Sequence, residues 1–341
     1  DWLGPQDGPL HAADRSSHGF REESAASSDV LLRSGEAHPA PPLDGGLGAP
    51  GLEPPRVRGA CSWTHWMNML ALLASAAVAY LDYSGVFGEG SAELGARYRT
   101  LVTPAPWTSC IWVVIYALEA VFAAAQLSFG GFRGSGLVEA VTQSWILTCA
   151  CQILWFVLYS QELLAMALAI SCVLATTLLL LLARADAEDM TPAEFWLLRV
   201  PFSVHAGWAV VLCGQNLNVV ASMMLLPSDT LLALAYATLA CTLSAVVFYQ
   251  LVASRPDAVI AGVVVWALGG VWTELSDPNR LDSYGEQYAG QRWDRETIDC
   301  LRWTCLGCAC LALVVEAAAA AKRTSVGGDL KLKIAEFDGR A

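Results

Sequence analysis

The sequence predicts an all-α protein, a multi-pass transmembrane helical bundle of about eight helices. Three observations lead there. Of 341 residues, 55% are hydrophobic and 15% charged, with a mean hydropathy of +0.46; soluble domains carry about 25% charged residues. Apolar segments recur near 66–86, 107–128, 139–160, 163–183, 195–225, 229–253, 257–274 and 298–321, and about 20 mostly apolar residues cross a bilayer. In lipid the backbone must satisfy its own hydrogen bonds, so these segments are helices.

Residues 1–60 precede the bundle and are rich in Gly, Pro, Ser and Ala (APPLDGGLGAPGLEPP). Such a stretch buries no core by itself, so it is expected to be an extended tail ordered only by contacts with partners. The chain opens on Asp1, as a processed or truncated form does, and residues 1–60 lack the apolar stretch of a signal peptide. The bundle is expected over 61–321. Between the third and fourth segments, YSQELL suits a tight antiparallel hairpin. The seventh segment, 257–274, is the shortest. A long polar loop over 275–297 follows, whose Tyr284, Tyr288 and Trp293 suit a membrane interface or a partner surface. Residues 322–341 read as a short basic and polar tail.

An even number of spans puts both termini on one side. Arg56, Arg58, Arg133, Arg184, Arg255, Lys322 and Arg323 flank that side, against Arg97, Arg99, Arg280, Arg292 and Arg295 on the other. The excess places the termini on the cytosol-like face, whether cytosolic, stromal or matrix. An organelle membrane, thylakoid or mitochondrial, is expected over the plasma membrane.

Charge and cysteine narrow the function. A net charge of −12 speaks against nucleic acid as a partner, because binding phosphate needs a basic surface. Most of the 11 cysteines lie inside apolar runs and read as small buried hydrophobes. Cys300, Cys305, Cys308 and Cys310 include one CxxC, but they fall at one helix start on different faces. A zinc site draws paired ligands from two segments, so no metal cluster is expected.

The stretch TPAPWTSCIWVVIY (103–116) is distinctive. Pro104 and Pro106 fix an extended entry and then tolerate a helix start. Trp112 and Tyr116, four residues apart, share a helix face. By itself the segment fits an aromatic belt with packing, or the lip of a cavity.

Three motifs in order resemble the tryptophan-rich sensory protein family, the TspO or translocator-protein-like group, in a longer form with extra helices. They are the Pro-Ala-x-x-x-x-x-Ile-Trp-x-x-Ile-Tyr entry from Pro104 to Tyr116, Leu-Trp-Phe ending at Phe156 with Glu162 shortly after, and Arg-x-Pro-Phe-Ser-x-x-x-Gly-Trp from Arg199 to Trp208. The resemblance runs over roughly 66–320, with the motifs within 95–220, and does not reach the N-terminal tail. It implies an all-helical membrane bundle whose five core helices enclose an apolar cavity, in a family whose members bind porphyrins, haem or sterol-like molecules. Carried over by position, the ligand-binding candidates are Trp107, Trp112, Tyr116, Trp145, Trp155, Phe202, His205 and Trp208. Flat rings suit a flat conjugated ligand, and the same rings also fill bundle cores. The chain departs from the pattern at His205, where an aromatic follows Phe-Ser-x, and at Pro106 and Trp107 in the entry.

Polar groups inside the segments are the remaining signal, because ionisable residues in a bilayer are costly and face the interior. Arg199 either snorkels or pairs with Glu194. Glu119 is either protonated or paired with Arg199 across the bundle. Gln215, Asn216 and Asn218 suit hydrogen bonds to neighbouring helices. His205 lies within a membrane segment, either as a hydrogen-bonded core residue or as an axial ligand to haem iron or chlorophyll magnesium. His65, beside Trp63 and Trp66, is an interfacial second candidate.

These readings point to a non-enzymatic membrane protein that binds a hydrophobic planar ligand. The expected ligands are a tetrapyrrole such as haem or chlorophyll, a carotenoid, a sterol or a lipid. The expected partners are membrane lipids and the subunits of a larger membrane complex, contacted through the tail. The alternative is a purely structural subunit of a photosynthetic or respiratory supercomplex. The sequence offers no Ser-His-Asp set, phosphate loop or paired catalytic carboxylates in support of an enzyme.

Overall fold

The computed structural model describes residues 63–133, 136–253, 255–277 and 293–338. The tail expected over 1–60, and Tyr284 and Tyr288 of the polar loop, lie outside the described residues. Among those described there are helices and no strand. Eight helices are long and apolar enough to cross a membrane.

The helices are α1 (Trp63–Tyr83), the short α2 (Ser91–Arg97), α3 (Ile111–Ser128), α4 (Gly136–Ser160), α5 (Leu164–Asp186), α6 (Val200–Met223), α7 (Ser228–Leu251), α8 (Ala258–Leu275) and α9 (Arg295–Asp338). A 3-10 turn, Pro106–Cys110, leads into α3. The spans fall where the apolar segments lie, because the bilayer fixes their length. Residues 322–338, within the stretch expected as a basic and polar C-terminal tail, continue α9 to Asp338. The alanine run before Lys322 favours helix, whereas Thr324, Val326, Gly327 and Gly328 after it do not, and composition does not distinguish a polar helix from a polar tail.

Local chemistry sets the ends. Thr191 and Glu194 form a reciprocal capping box that starts the helical run into α6. The π-helical turn Phe195–Arg199 falls just before Pro201, whose ring would press on the carbonyl four residues back. Asp257 caps α8, accepting from the Val259 and Ile260 N–H groups at 3.0 and 3.2 Å. The expected hairpin between the third and fourth spans turns on Glu162, whose φ is 57°.

α6 is the hinge of the packing. α1, α3, α4 and α5 gather on one side of it, with α4 against α1 and α5, and α5 against α6. α7, α8 and α9 gather on the other, with α8 bridging α6 and α9. One core, with Phe122, Trp145, Leu178 and Phe202, joins α3 to α6. A second, with Trp208, Val264, Leu268 and Leu301, joins α6 to α8 and α9, and half-buried Trp293 packs on it. A third lies near one end of the bundle, around Trp155, Tyr159, Tyr98 and Leu212.

Candidate functional site: an aromatic cavity and its buried polar surround

The third core opens into a cavity of about 730 Å³. Its walls are the faces of α3, α4 and α6 that carry Trp112, Tyr116, Trp155, Phe156, Tyr159, Trp208 and Leu212. α2 and the chain through Thr103 complete the lining, with Ser91, Tyr98 and Arg99. The lip is the proline-fixed entry. Pro104, Pro106 and Thr108 line the cavity there, and the Ala105 N–H donates to the Gly270 carbonyl of α8 at 3.0 Å.

Trp112 is the hub of the aromatic set. Its ring lies 6.2 Å from Trp155 with 27° between planes, and edge-on to Trp208 at 6.3 Å. Phe156 and Tyr116 lie 5.6 and 6.4 Å away. Trp155 in turn stacks on Tyr159 at 5.0 Å. The offset-stacked and edge-to-face arrangements are those the ring quadrupoles favour. Four N–H donors on lining residues find no acceptor among the described residues: Trp155 Nε1, Trp208 Nε1, Gln215 Nε2 and Asn216 Nδ2.

The structure thus brings together four of the eight ring-bearing candidates on the cavity wall: Trp112, Tyr116, Trp155 and Trp208. The other four are elsewhere. Trp107 stands outside the lip, 44% exposed, edge-on to Trp266 at 4.7 Å. Trp145 and Phe202 pack 5.3 Å apart against Phe122, in the core between α3 and α6. The same ring types serve both places, and only the direction of the helix face separates them. His205 is not among the lining residues. It sits behind Trp112, with 6.0 Å between ring centroids, and its Nδ1 lies 2.7 Å from Glu119 Oε1. Both side chains are fully buried.

The buried charges pair differently from the sequence expectation. Glu119 pairs with His205 and not with Arg199. Arg199 is buried rather than snorkelling, and it contacts Asp257 and Asp186 rather than Glu194. Glu194 is held locally by the capping box. The partners come from α5 and the start of α8, which no local pattern around Arg199 could name. Asn218 bonds across to Thr238 of α7 at 2.8 Å, as an interhelical polar residue does.

A polar seam on α1 went unread in the sequence. Asn68, Ser75 and Asp82 are seven residues apart on one buried face. Asn68 donates to Gln126 and Thr142 at 2.8 and 3.1 Å. Ser75 donates to Gln152 at 2.9 Å and lies 3.3 Å from the Tyr116 hydroxyl. Asp82 accepts from the Ser91 hydroxyl at 2.6 Å and from Ser160. The signal was the spacing itself, which keeps three polar groups on one helix face. The seam holds Tyr116 and the start of α2 in place beside the cavity.

At the end of α2, Glu162 accepts from the Tyr98 hydroxyl and from Arg97, at 3.1 Å for the latter. Among the described residues, no group of three or more His, Cys, Asp and Glu side chains is placed to hold a metal ion.

The family model for the TSPO-like protein matches residues 65–318, which is most of the chain and reaches into all eight spans. The chain belongs to the TSPO-like protein family. Neither a curated protein nor a solved structure matches it. It is an integral membrane protein of the TspO type. In this TSPO-like chain the five spans α1, α3, α4, α5 and α6 surround the aromatic core, and α7 to α9 brace α6 and the lip from the other side.

Proposed function

We propose that this protein binds a hydrophobic, planar ligand in the aromatic cavity, a tetrapyrrole such as haem or chlorophyll, or a sterol, carotenoid or other lipid, without transforming it. The observation that carries the reading is the stacked wall of Trp112, Trp155 and Tyr159, faced by Trp208, around a space of about 730 Å³. That volume lies in the range of small-molecule sites, roughly 300–1,000 Å³. Large π faces offer stacking area without charge, and the unpartnered indole and amide N–H groups offer donors to a ligand's oxygens. A flat macrocycle with polar edge groups fits this lining better than a bare hydrocarbon does. The metal-ligand role expected for His205 does not enter the proposal, because the ring is not among the residues that line the cavity.

Titrating the purified protein in detergent with haem and with metal-free porphyrin tests the reading. Saturable quenching of tryptophan fluorescence and a shifted porphyrin band are expected. Trp112→Ala or Trp155→Ala should weaken binding tenfold or more, as loss of a central aromatic anchor does. A non-saturable signal, the same in wild type and variants, sinks it.

The low-complexity stretch over 1–60 supports a second role, as an accessory subunit of a larger membrane complex. Deleting residues 1–55 should leave the bundle folded and reduce its co-migration with a complex on a native gel. Unchanged migration removes this role and leaves the ligand reading intact.

A further inference from the structure

We propose that Glu119 and His205 form a proton-binding site that takes up a second proton when an anionic ligand enters the cavity, so that a planar carboxylate and a proton bind together. The inference rests on the cavity being the ligand site. His205 Nδ1 and Glu119 Oε1 are 2.7 Å apart, both residues are at 0% exposure, and they lie within two membrane spans, α3 and α6. Among the described residues, the outward atoms of the pair, Glu119 Oε2 and His205 Nε2, have no hydrogen-bond partner.

The proton count follows. With one shared proton the pair is neutral overall, either as carboxylic acid and imidazole or as carboxylate and imidazolium. Removing that proton leaves one negative charge, and adding another leaves one positive charge. Either charge is costly in a dry membrane interior without a counter-ion. With the cavity empty, the one-proton state holds. A carboxylate in the cavity supplies the missing counter-charge. Trp112 belongs to the cavity wall and its ring is 6.0 Å from that of His205, while Trp208 reaches the same wall from the next turn of α6. Little water intervenes, so the attraction is weakly screened. Coupling is reciprocal: the carboxylate favours the second proton, and the second proton favours the carboxylate.

The surrounding groups leave this role to the pair. Tyr116 on α3 and Cys149 on α4 are within electrostatic reach of Glu119, and both are neutral hydrogen-bonding groups. Of the charges on α5 and at the starts of α6 and α8, Asp186, Arg199 and Asp257 pair with one another, and Arg184 of α5 donates to the Ser144 hydroxyl at 2.8 Å. Glu274 of α8 pairs with Arg99, and Asp82 of α1 is held by Ser91 and Ser160.

The test compares protoporphyrin as the free dicarboxylic acid with its dimethyl ester, bound to the full chain in neutral detergent. Above about pH 6.5 the free acid's carboxyls are ionised in solution, so a proton taken up on binding goes either to the pair or to a carboxyl inside the cavity, and the His205 variant separates the two. Affinity for the acid should then fall as pH rises, approaching roughly tenfold per pH unit, the limit for one linked proton. A pH indicator in weak buffer should register about one proton taken up per porphyrin bound. Affinity for the ester should stay flat. His205→Gln, which removes the group that carries the positive charge of the two-proton state, should still bind the ester and lose the slope for the acid. A flat acid profile in the wild type overturns the proton site, and so does a slope that persists in a His205→Gln protein that binds the ester. The wild-type acid profile can overturn the site even where the variant does not fold, and Glu119→Gln, which removes the other half of the pair, then takes the place of the His205 variant. Failure of both porphyrins to bind overturns the cavity reading and this inference with it.

Discussion

Arg199 Nη1 lies 2.6 Å from Asp257 Oδ2, and both side chains are buried between the start of α6 and the start of α8. The guanidinium also reaches Asp186 at 3.1 Å and the Arg255 carbonyl at 3.2 Å. Asp257 meanwhile caps α8 and accepts from Ser203. One carboxylate thus ties the five-span core to the C-terminal helices.

Removing one member of that pair should be severe. Asp257→Ala takes from the buried Arg199 the nearer of its two carboxylate partners and uncaps α8, and a loss of about 3–5 kcal/mol is expected. It should appear as a lower thermal midpoint in detergent. The double variant Arg199→Met/Asp257→Asn should lose less than the sum of the single changes, because each single change already removes the same ion pair. Additive losses would mean that the two side chains do not act as a unit.

Trp112 and Trp145 should behave oppositely, although both are indoles in neighbouring spans. Trp145 is fully buried against Phe122 and Phe202. Trp145→Ala should cost about 3–5 kcal/mol of stability by opening a cavity in a dry core. Trp112 already borders a space, so Trp112→Ala should cost less stability and chiefly lower porphyrin affinity. Fluorescence titration and thermal unfolding of both variants check the contrast. Equal effects on binding would mean that the wall does not separate from the core.

Those two residues also show how much the sequence could tell. The spans were legible because bilayer thickness fixes the length of each apolar run. The inward turn of Trp112 towards Trp155 and Trp208 was legible from the motifs that carry all three. The resemblance placed Trp145 and Phe202 on the wall as well, because an aromatic at helical spacing satisfies a cavity and a core equally well. The pairing of Glu119 with His205 spans 86 positions, and no local pattern encodes it. Arg199 was misread for the same reason: its partners are set by how α5 and α8 meet α6. The polar spacing of Asn68, Ser75 and Asp82 stood in the sequence, but an isolated polar residue in an apolar run gives no sign of its face until the whole seam is seen.

Asn68 tests that seam. Its side-chain amide donates to Gln126 and Thr142, and its backbone carbonyl accepts from Trp145 Nε1 at 3.3 Å. Asn68→Leu should cost about 1–3 kcal/mol, since it leaves buried acceptors on two helices without a donor. Thermal unfolding in detergent measures it, and a variant as stable as wild type would show that the seam is redundant.

Gly270 gives the last test, at the lip. A Cβ added there would meet Thr108 Cγ2 at 2.2 Å and Pro104 Cβ at 2.9 Å. Neither neighbour yields easily. Thr108 is held by its hydroxyl, which donates to the Ala105 carbonyl at 2.7 Å, and Pro104 is a rigid ring. The Ala105 N–H is in turn bound to the Gly270 carbonyl at 3.0 Å, so α8 and the entry cannot slide apart without losing that bond. Gly270→Ala should therefore cost about 1–3 kcal/mol by overpacking, and it should lower porphyrin affinity because Pro104 and Thr108 line the cavity. Gly269, one position earlier, has nothing within 4 Å of an added Cβ. Gly269→Ala should be neutral or stabilising by roughly 0.5–1 kcal/mol, the gain of alanine over glycine in a helix. Adding Thr108→Ser to Gly270→Ala removes the clashing methyl and keeps the hydroxyl, so the double variant should regain most of the lost stability. Thermal unfolding of wild type, Gly270→Ala, Thr108→Ser and the double variant completes the cycle, with Gly269→Ala as the control. If Gly270→Ala is as well tolerated as Gly269→Ala, α8 does not clamp the lip, and the cavity mouth is held by α3 and α2 alone.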